Sequence, residues 1–215
     1  MKVSPSLISA KLEYLGSEIA KCVEGGATSF HLDVMDGHFV PNLTMGPDLV
    51  KAVRRCTDLD LEAHLMLQNP ERYYKDFIDA GADIPLIHVE SPINTGSLLK
   101  RILHEGCRYG IVINPETQLE KAFPFMEEAS ILLIMSVHPG FSGQKFIEDA
   151  VHKIREARMY IDEHKLQTSI EVDGGVTLEK AEVCRDAGAD IVVSASYIFS
   201  GNVMERVRLL SRLYA

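Results

Sequence analysis

The sequence predicts a single (β/α)8 barrel, and three observations carry that prediction. Short β-rich runs alternate with amphipathic stretches eight times along the chain. The turns from helix to strand repeat one form: "DAGAD" stands at 79–83 and again at 186–190, with "EGGA" at 24–27 as a variant. No Pro-, Ser- or Gly-rich linker and no shift in composition divides the 215 residues, a length that one such barrel fills. A doubly wound open sheet is the alternative, although it rarely needs eight such regular units.

In chain order the strand candidates are "KVSPSLI" (2–8), "SFHLDV" (29–34), "LEAHLML" (61–67) and "IPLIHVE" (84–90). They continue with "RYGIVIN" (108–114), "ILLIMSV" (131–137), "SIEVD" (169–173) and "DIVVSAS" (190–196). Each precedes a segment with helical spacing. In the first of these, Leu12, Leu15, Ile19 and Val23 recur three or four residues apart and mark the expected buried face. Glycines in "EGGA", both "DAGAD" turns and "HEGC" (104–107) supply left-handed helix ends before the next strand.

Composition narrows the function. A hydrophobic share of 46% with 25% charged residues describes a soluble globular chain with a full core. The formal net charge is −9, and "VRR" and "LLKR" are too short to form a basic surface, so nucleic acid is not an expected partner. Cys22, Cys56, Cys107 and Cys184 form no C-x-x-C pair, which points to reduced thiols in a cytoplasmic protein. The opening "MKVSPSLISAKLEYLG" turns polar too soon for a signal peptide, and no apolar run approaches a membrane span.

The chemistry gathers at one end of the strands. In a barrel of this kind the active site lies at the strand C-termini. His31 and Asp33 close the second strand two residues apart, so both point to one side. His64 sits late in the third strand, and Asp173 ends the seventh in "EVDGG". Alone, His64 reads as a core histidine and Asp173 as a turn residue. Together the four form a donor set suited to Zn²⁺ or another divalent first-row ion, which would neutralise carboxylates that are otherwise costly to bury. Asp36 and His38 fall past the strand end and read as loop residues that orient their neighbours.

Three glycine-rich loops form a second constellation: "HPGFSGQ" (138–144), "DGG" (173–175) and "SASYIF" (194–199). Glycine lets backbone N–H groups approach an anion, and barrels often bind phosphate with the loops after strands 7 and 8. Gly140, Phe141, Ser142, Gly143, Gly174, Gly175, Ala195 and Ser196 are the candidates. Met35, Met66 and Met135 lie near strand ends at the same mouth. Each alone reads as core filler, but together they would line an apolar, polarizable pocket.

The stretches "PSLISA", "HLDVMDGHFVPNLTMGP", "AHLML", "HPGFSGQKF", "EVDGG" and "VVSAS" resemble the ribulose-phosphate 3-epimerase family, over essentially the whole chain. The resemblance implies a (β/α)8 barrel, a phosphorylated ketose substrate and a divalent metal, commonly Zn²⁺ with Fe²⁺, Mn²⁺ or Co²⁺ as alternatives. It implies metal ligation by His31, Asp33, His64 and Asp173, with Asp33 and Asp173 also serving as the acid/base pair. Ser9 and His64 match substrate-contacting positions, and the three methionines match residues that shield the reaction intermediate. It further implies a homo-oligomer, either dimer or hexamer. The reaction expected is interconversion of D-ribulose 5-phosphate and D-xylulose 5-phosphate, in the pentose phosphate pathway, with a longer ketose such as D-allulose 6-phosphate as the alternative substrate.

Several positions depart from the family pattern. Lys11 stands where Asp is usual, "PSLISA" replaces "PSILSA", His138 and Ser142 alter "NPGFGG", and Ala195 replaces a glycine. None is a proposed ligand. A decarboxylase on the same barrel would need D-x-K on strand 2, whereas Val34 and Met35 follow Asp33. A class II aldolase would be separated by an assay for C–C cleavage. A non-catalytic sugar-phosphate binder would not need a carboxylate on each face of the sugar.

Overall fold

The computed structural model describes residues 1–214 and contains one eight-stranded parallel sheet. The strands are β1 (Lys2–Pro5), β2 (Ser29–Met35), β3 (Asp60–Met66) and β4 (Ile84–His88), followed by β5 (Gly110–Ile113), β6 (Ile131–Met135), β7 (Ser169–Asp173) and β8 (Ile191–Ser194). Each pairs with its sequence neighbours, and β1 pairs in parallel with β8. A parallel bridge between Ser6 and His31 brings β1 against β2, so the sheet curls into a barrel rather than ending in two open edges. That excludes the open-sheet alternative.

Helices cover the outside of the strands. The longer ones are α1 (Leu15–Gly25), α2 (Pro47–Arg54), α3 (Tyr74–Asp79), α4 (Thr95–His104), α6 (Ala150–His164), α7 (Leu178–Ala187) and α9 (Val203–Ser211). The fifth connection carries only a short helical turn, α5 (Phe123–Met126), and after β8 a single turn, α8 (Ser196–Phe199), precedes α9. No described helix is long and apolar enough to cross a membrane.

The expected strands form at every position, most of them with shorter ends, while β2 runs on to Met35, β3 starts at Asp60 and β7 keeps its expected bounds. "KVSPSLI" stops at Pro5 because Leu7–Ser9 makes a 3-10 turn whose cap is the Ser6 side chain. The first helix corrects the expected face. Leu12 lies in a separate 3-10 turn and is 55% exposed, and Val23 is 43% exposed. Because the α-helix starts only at Leu15, its inward line runs through Ile19, Cys22 and Gly25. Gly25 is needed there, since a Cβ would stand 2.7 Å from the Met204 carbonyl oxygen of α9.

The repeated "DAGAD" turns are structural equivalents. In each, the final aspartate accepts the N–H of the neighbouring strand: Leu61 to Asp83, and Ile170 to Asp190, both at 2.8 Å. An arginine from the helix one unit earlier then pairs with that carboxylate, Arg54 of α2 with Asp83 and Arg158 of α6 with Asp190. The repeat therefore locks helix, turn and strand start together at the bottom of the barrel, away from the strand ends that carry the chemistry.

Candidate active site

β2, β3 and β7 deliver the four proposed ligands to one place. Period-two alternation points His31 and Asp33 inward from β2, and the parallel register sets Asp33 opposite His64 on β3. One ligand atom from each of His31, Asp33, His64 and Asp173 lies within 4.8 Å of all the others. His31 and His64 are fully buried, while the Asp173 side chain is 16% exposed. The two histidines thus sit beneath the pocket floor, and Asp33 and Asp173 form part of its surface.

Short contacts bind this cluster. His31 Nε2 is 3.0 Å from His64 Nδ1, which is 3.3 Å from Asp33 Oδ1. Ser6 donates its hydroxyl to the other Asp33 oxygen. Asp173 Oδ2 stands 4.0 Å from His31 Nε2. On the far side of His64, Nε2 meets His88 Nε2 at 2.8 Å, and His88 Nδ1 reaches Glu90 Oε2 at 3.0 Å.

Proton affinities within the cluster are pushed apart. Burial works against the Asp33 carboxylate, but His31 and His64 hold it well below the usual range. Burial and the neighbouring charges of Asp33 and Glu62 push Asp173 up to about 7, against the pull of His31. Burial pushes His64 down to about 3, although Asp33 opposes it. Burial would also depress His31, yet Asp33, Glu62 and Asp173 together raise it well above the usual value. The two aspartates of the pocket floor therefore differ in kind: Asp33 is held ionised, and Asp173 takes up a proton near neutrality.

Beneath His31 lies a second buried acidic group. Glu62 and Glu171 both point inward, two residues before His64 and Asp173 on their strands. Ser4 donates to Glu62 at 2.6 Å, and His31 Nδ1 is 3.6 Å from the same carboxylate oxygen. Neither Glu171 oxygen has a donor when both acids are charged. Burial and the Glu62 charge raise Glu171 well above the ordinary carboxylate range.

The donor set of two imidazoles and two carboxylates fits a divalent first-row cation. His31 Nδ1, buried and without a hydrogen bond inside the usual limit, faces Glu62, as an outer partner of a metal-binding histidine would require. The buried cluster could hold such an ion.

The pocket above the floor is lined by all but one of the remaining expected residues. Met35, Met66 and Met135 form its apolar wall. Gly140, Phe141, Ser142, Gly143, Gly174, Gly175, Ala195 and Ser196 line its loop rim. Ser6 and Ile8 line it, whereas Ser9 does not. Gly174 and Gly175 have φ of 122° and 62°, in the left-handed region. A Cβ on Gly174 would meet Val137 Cγ2 at 2.5 Å, and one on Gly175 would meet the Phe146 nitrogen at 2.6 Å. At these two positions the rim is backbone that only glycine allows.

Loops tie floor and rim together. The Asp36 carboxylate accepts the N–H groups of His38, Phe39 and Gln68, the orienting role expected of it. Asn42 Nδ2 donates to the Gly140 carbonyl at 2.8 Å, joining the loop after β2 to the loop after β6. Gln144 closes that second loop on the carbonyls of His138 and Phe141.

Residues 2–199 match the ribulose-phosphate 3 epimerase family. The chain belongs to the ribulose-phosphate 3-epimerase family. Its relatives include the ribulose-phosphate 3-epimerase of Chlamydia muridarum, 45% identical over 213 residues that make up 97% of this chain and 93% of the other. That of Bacillus subtilis is 44% identical over 200 residues, 93% of this chain and 92% of the other. These epimerases are enzymes, and so is this family member. Among solved structures, 3-hexulose-6-phosphate synthase from Salmonella typhimurium superposes with a TM-score of 0.75 at 18% identity, over 99% of this chain and 98% of the other. That likeness concerns the barrel alone.

Sequence reading missed Ser6, His88, Glu90, Glu62 and Glu171. For four of them a signal existed. "HVE" at the end of β4 repeats the His-x-acid pattern of "HLD" on β2, and Glu62 and Glu171 each precede a proposed ligand by two.

Proposed function

We propose that this family member is a metal-dependent 3-epimerase that interconverts D-ribulose 5-phosphate and D-xylulose 5-phosphate. The observation that carries the reading is the pair Asp33 and Asp173. They reach one pocket floor from β2 and β7, three strand positions apart around the ring. A ketose lying between them would present one face of C3 to each carboxyl group.

His31, Asp33, His64 and Asp173 would hold the ion. When bound, a divalent cation supplies Lewis-acid stabilisation of the charge that develops as C3 loses its proton beside the C2 carbonyl. The rest is work for the protein's own groups. One aspartate takes the C3 proton, leaving a planar enediolate. The other, already protonated, returns a proton to the opposite face and inverts C3. The two roles reverse with the direction of reaction. Met35, Met66 and Met135 keep water from the planar intermediate. The backbone N–H groups of the glycine rim, with the first turn of α8, hold the phosphate dianion.

Turnover in D₂O tests the scheme, because two separate carboxyl groups must place solvent deuterium at C3 of the inverted product. Inverted product without deuterium would sink it. Comparing kcat/KM for D-ribulose 5-phosphate and D-allulose 6-phosphate tests the substrate, and a preference for the six-carbon sugar would overturn the pentose assignment.

A further inference from the structure

A chain of hydrogen bonds leads outward from His64, and its direction is fixed at the far end. Glu90 Oε1 accepts the Asn114 N–H at 2.8 Å and the Thr117 hydroxyl, and Oε2 faces His88 Nδ1 at 3.0 Å. Lys153 of α6 grips the carbonyls of Asn114, Pro115 and Thr117, which holds the loop that presents those donors. A carboxylate with two donors on one oxygen has only acceptor capacity for the other, so His88 carries hydrogen on Nδ1. Its Nε2 stands 2.8 Å from His64 Nε2, and a single hydrogen between the two nitrogens makes that bond. A His64 that holds a cation fills that bond with its own Nε2 hydrogen, and Nδ1 is the nitrogen that faces Asp33 and His31. The His88 ring is fully buried, near-parallel to His64 at 5.0 Å and against Phe39 at 4.9 Å, so it has no freedom to turn away.

We propose that His88 and Glu90 are positioning residues that commit His64 to act as a metal ligand through Nδ1. This rests on the metal reading above and adds to it which nitrogen binds and what holds it there. Partners of this kind are typically worth about 10–100-fold in metal affinity.

Glu90→Gln is the sharp variant. The Gln carbonyl would stay with the Asn114 and Thr117 donors, turning its NH₂ group toward His88 Nδ1. His88 would then have to carry hydrogen on Nε2, His64 would accept it, and the His64 hydrogen would move to Nδ1. The whole chain reverses. Zn²⁺ affinity, measured by competition against a chelating indicator, should weaken by about 10–100-fold in Glu90→Gln. A smaller loss is expected in Thr117→Val and none in Thr117→Ser, which keeps the donor. The imidazole ¹⁵N shifts of His64 should show zinc on Nδ1 in the wild-type protein. Activity of Glu90→Gln should recover toward the wild-type kcat at saturating zinc.

Zinc on Nε2 of His64 would overturn the proposal, as would unchanged affinity in Glu90→Gln and Thr117→Val despite a lowered melting temperature. If Glu90→Gln does not fold, the two Thr117 variants decide the matter. Wild-type protein that takes up no zinc would instead overturn the metal reading, and this assignment with it.

Discussion

Floor and rim of the pocket are made from different materials. The floor consists of side chains on strand ends, His31, Asp33, His64 and Asp173, crowded within 4.8 Å and dependent on one another for charge balance. The rim consists of backbone in loops, where Gly174 and Gly175 take left-handed conformations and the side chains matter little. A floor of this kind should be sensitive to chemical identity at constant shape. A rim of this kind should be sensitive to shape at constant chemistry.

The largest effect expected is at the floor. Asp173→Asn keeps the shape but removes a proton carrier, and kcat/KM should fall by about a thousandfold or more, a magnitude general acid–base catalysis reaches. Metal content must be assayed in the same sample, since Asp173 is also a proposed ligand. Slow C3 deuteration without inversion is the expected remnant. Next comes His64→Ala, in which bound metal and activity should fall together while the circular dichroism of the barrel is retained. Full metal content and rate would make His64 a core histidine only.

Rim effects should be smaller and of another type. Ribulose lacking its phosphate should lose far more kcat/KM than the roughly tenfold that one neutral hydrogen bond allows, because remote binding energy orients the reacting carbon. Equal turnover of both sugars would remove the phosphate from the mechanism. Gly174→Ala forces a Cβ against Val137 and should cost about 1–3 kcal/mol in urea denaturation, with a raised KM. Gly143 also has a left-handed φ of 77°, but nothing lies within 4 Å of its Cβ position. Gly143→Ala should therefore cost only about 1 kcal/mol of backbone strain.

A dependence on pH separates the two regions further. Asp173 binds its proton more tightly folded, at about 7, than the ordinary value of 3.8. Its contribution to stability is fully present below about pH 3.8 and is lost as pH rises through about 7. In chelator-treated protein, the urea midpoint of Asp173→Asn should decline less across that window than that of the wild type. Parallel profiles would show that Asp173 titrates normally.

The floor was largely legible in the sequence and the network beneath it was not. Parallel strands of one barrel end at one rim, so polar residues late in apolar runs, such as Asp33 and Asp173, were bound to converge there. The glycine rim could be read for a similar reason, since three successive loops open on the same side. Partners of the ligands were harder to see. His64 meets His88 from the next strand, and Glu90 meets Thr117 from the loop beyond the strand after that. Such bonds depend on register and side-chain rotamer, which no spacing rule supplies. The inward line of α1 was misread because a 3-10 turn at Leu12–Tyr14 shifted the start of the helix, a matter of backbone rather than of apolar pattern.

Glu62 and Glu171 occupy positions where a barrel ordinarily stacks aliphatic side chains. Exchanging the pair for hydrocarbon of similar volume should make the cation-free chain more resistant to heat, because a buried charge would vanish with its desolvation cost. The same exchange would take away the carboxylate that His31 Nδ1 faces. If the cluster holds a cation as proposed, heat resistance and cation capture are set against each other inside one barrel. A ligand that binds only the folded chain adds about 1.4 kcal/mol of stability for each tenfold rise in its free concentration above Kd. The thermal midpoint of this protein should accordingly serve as a gauge of the free divalent ion around it.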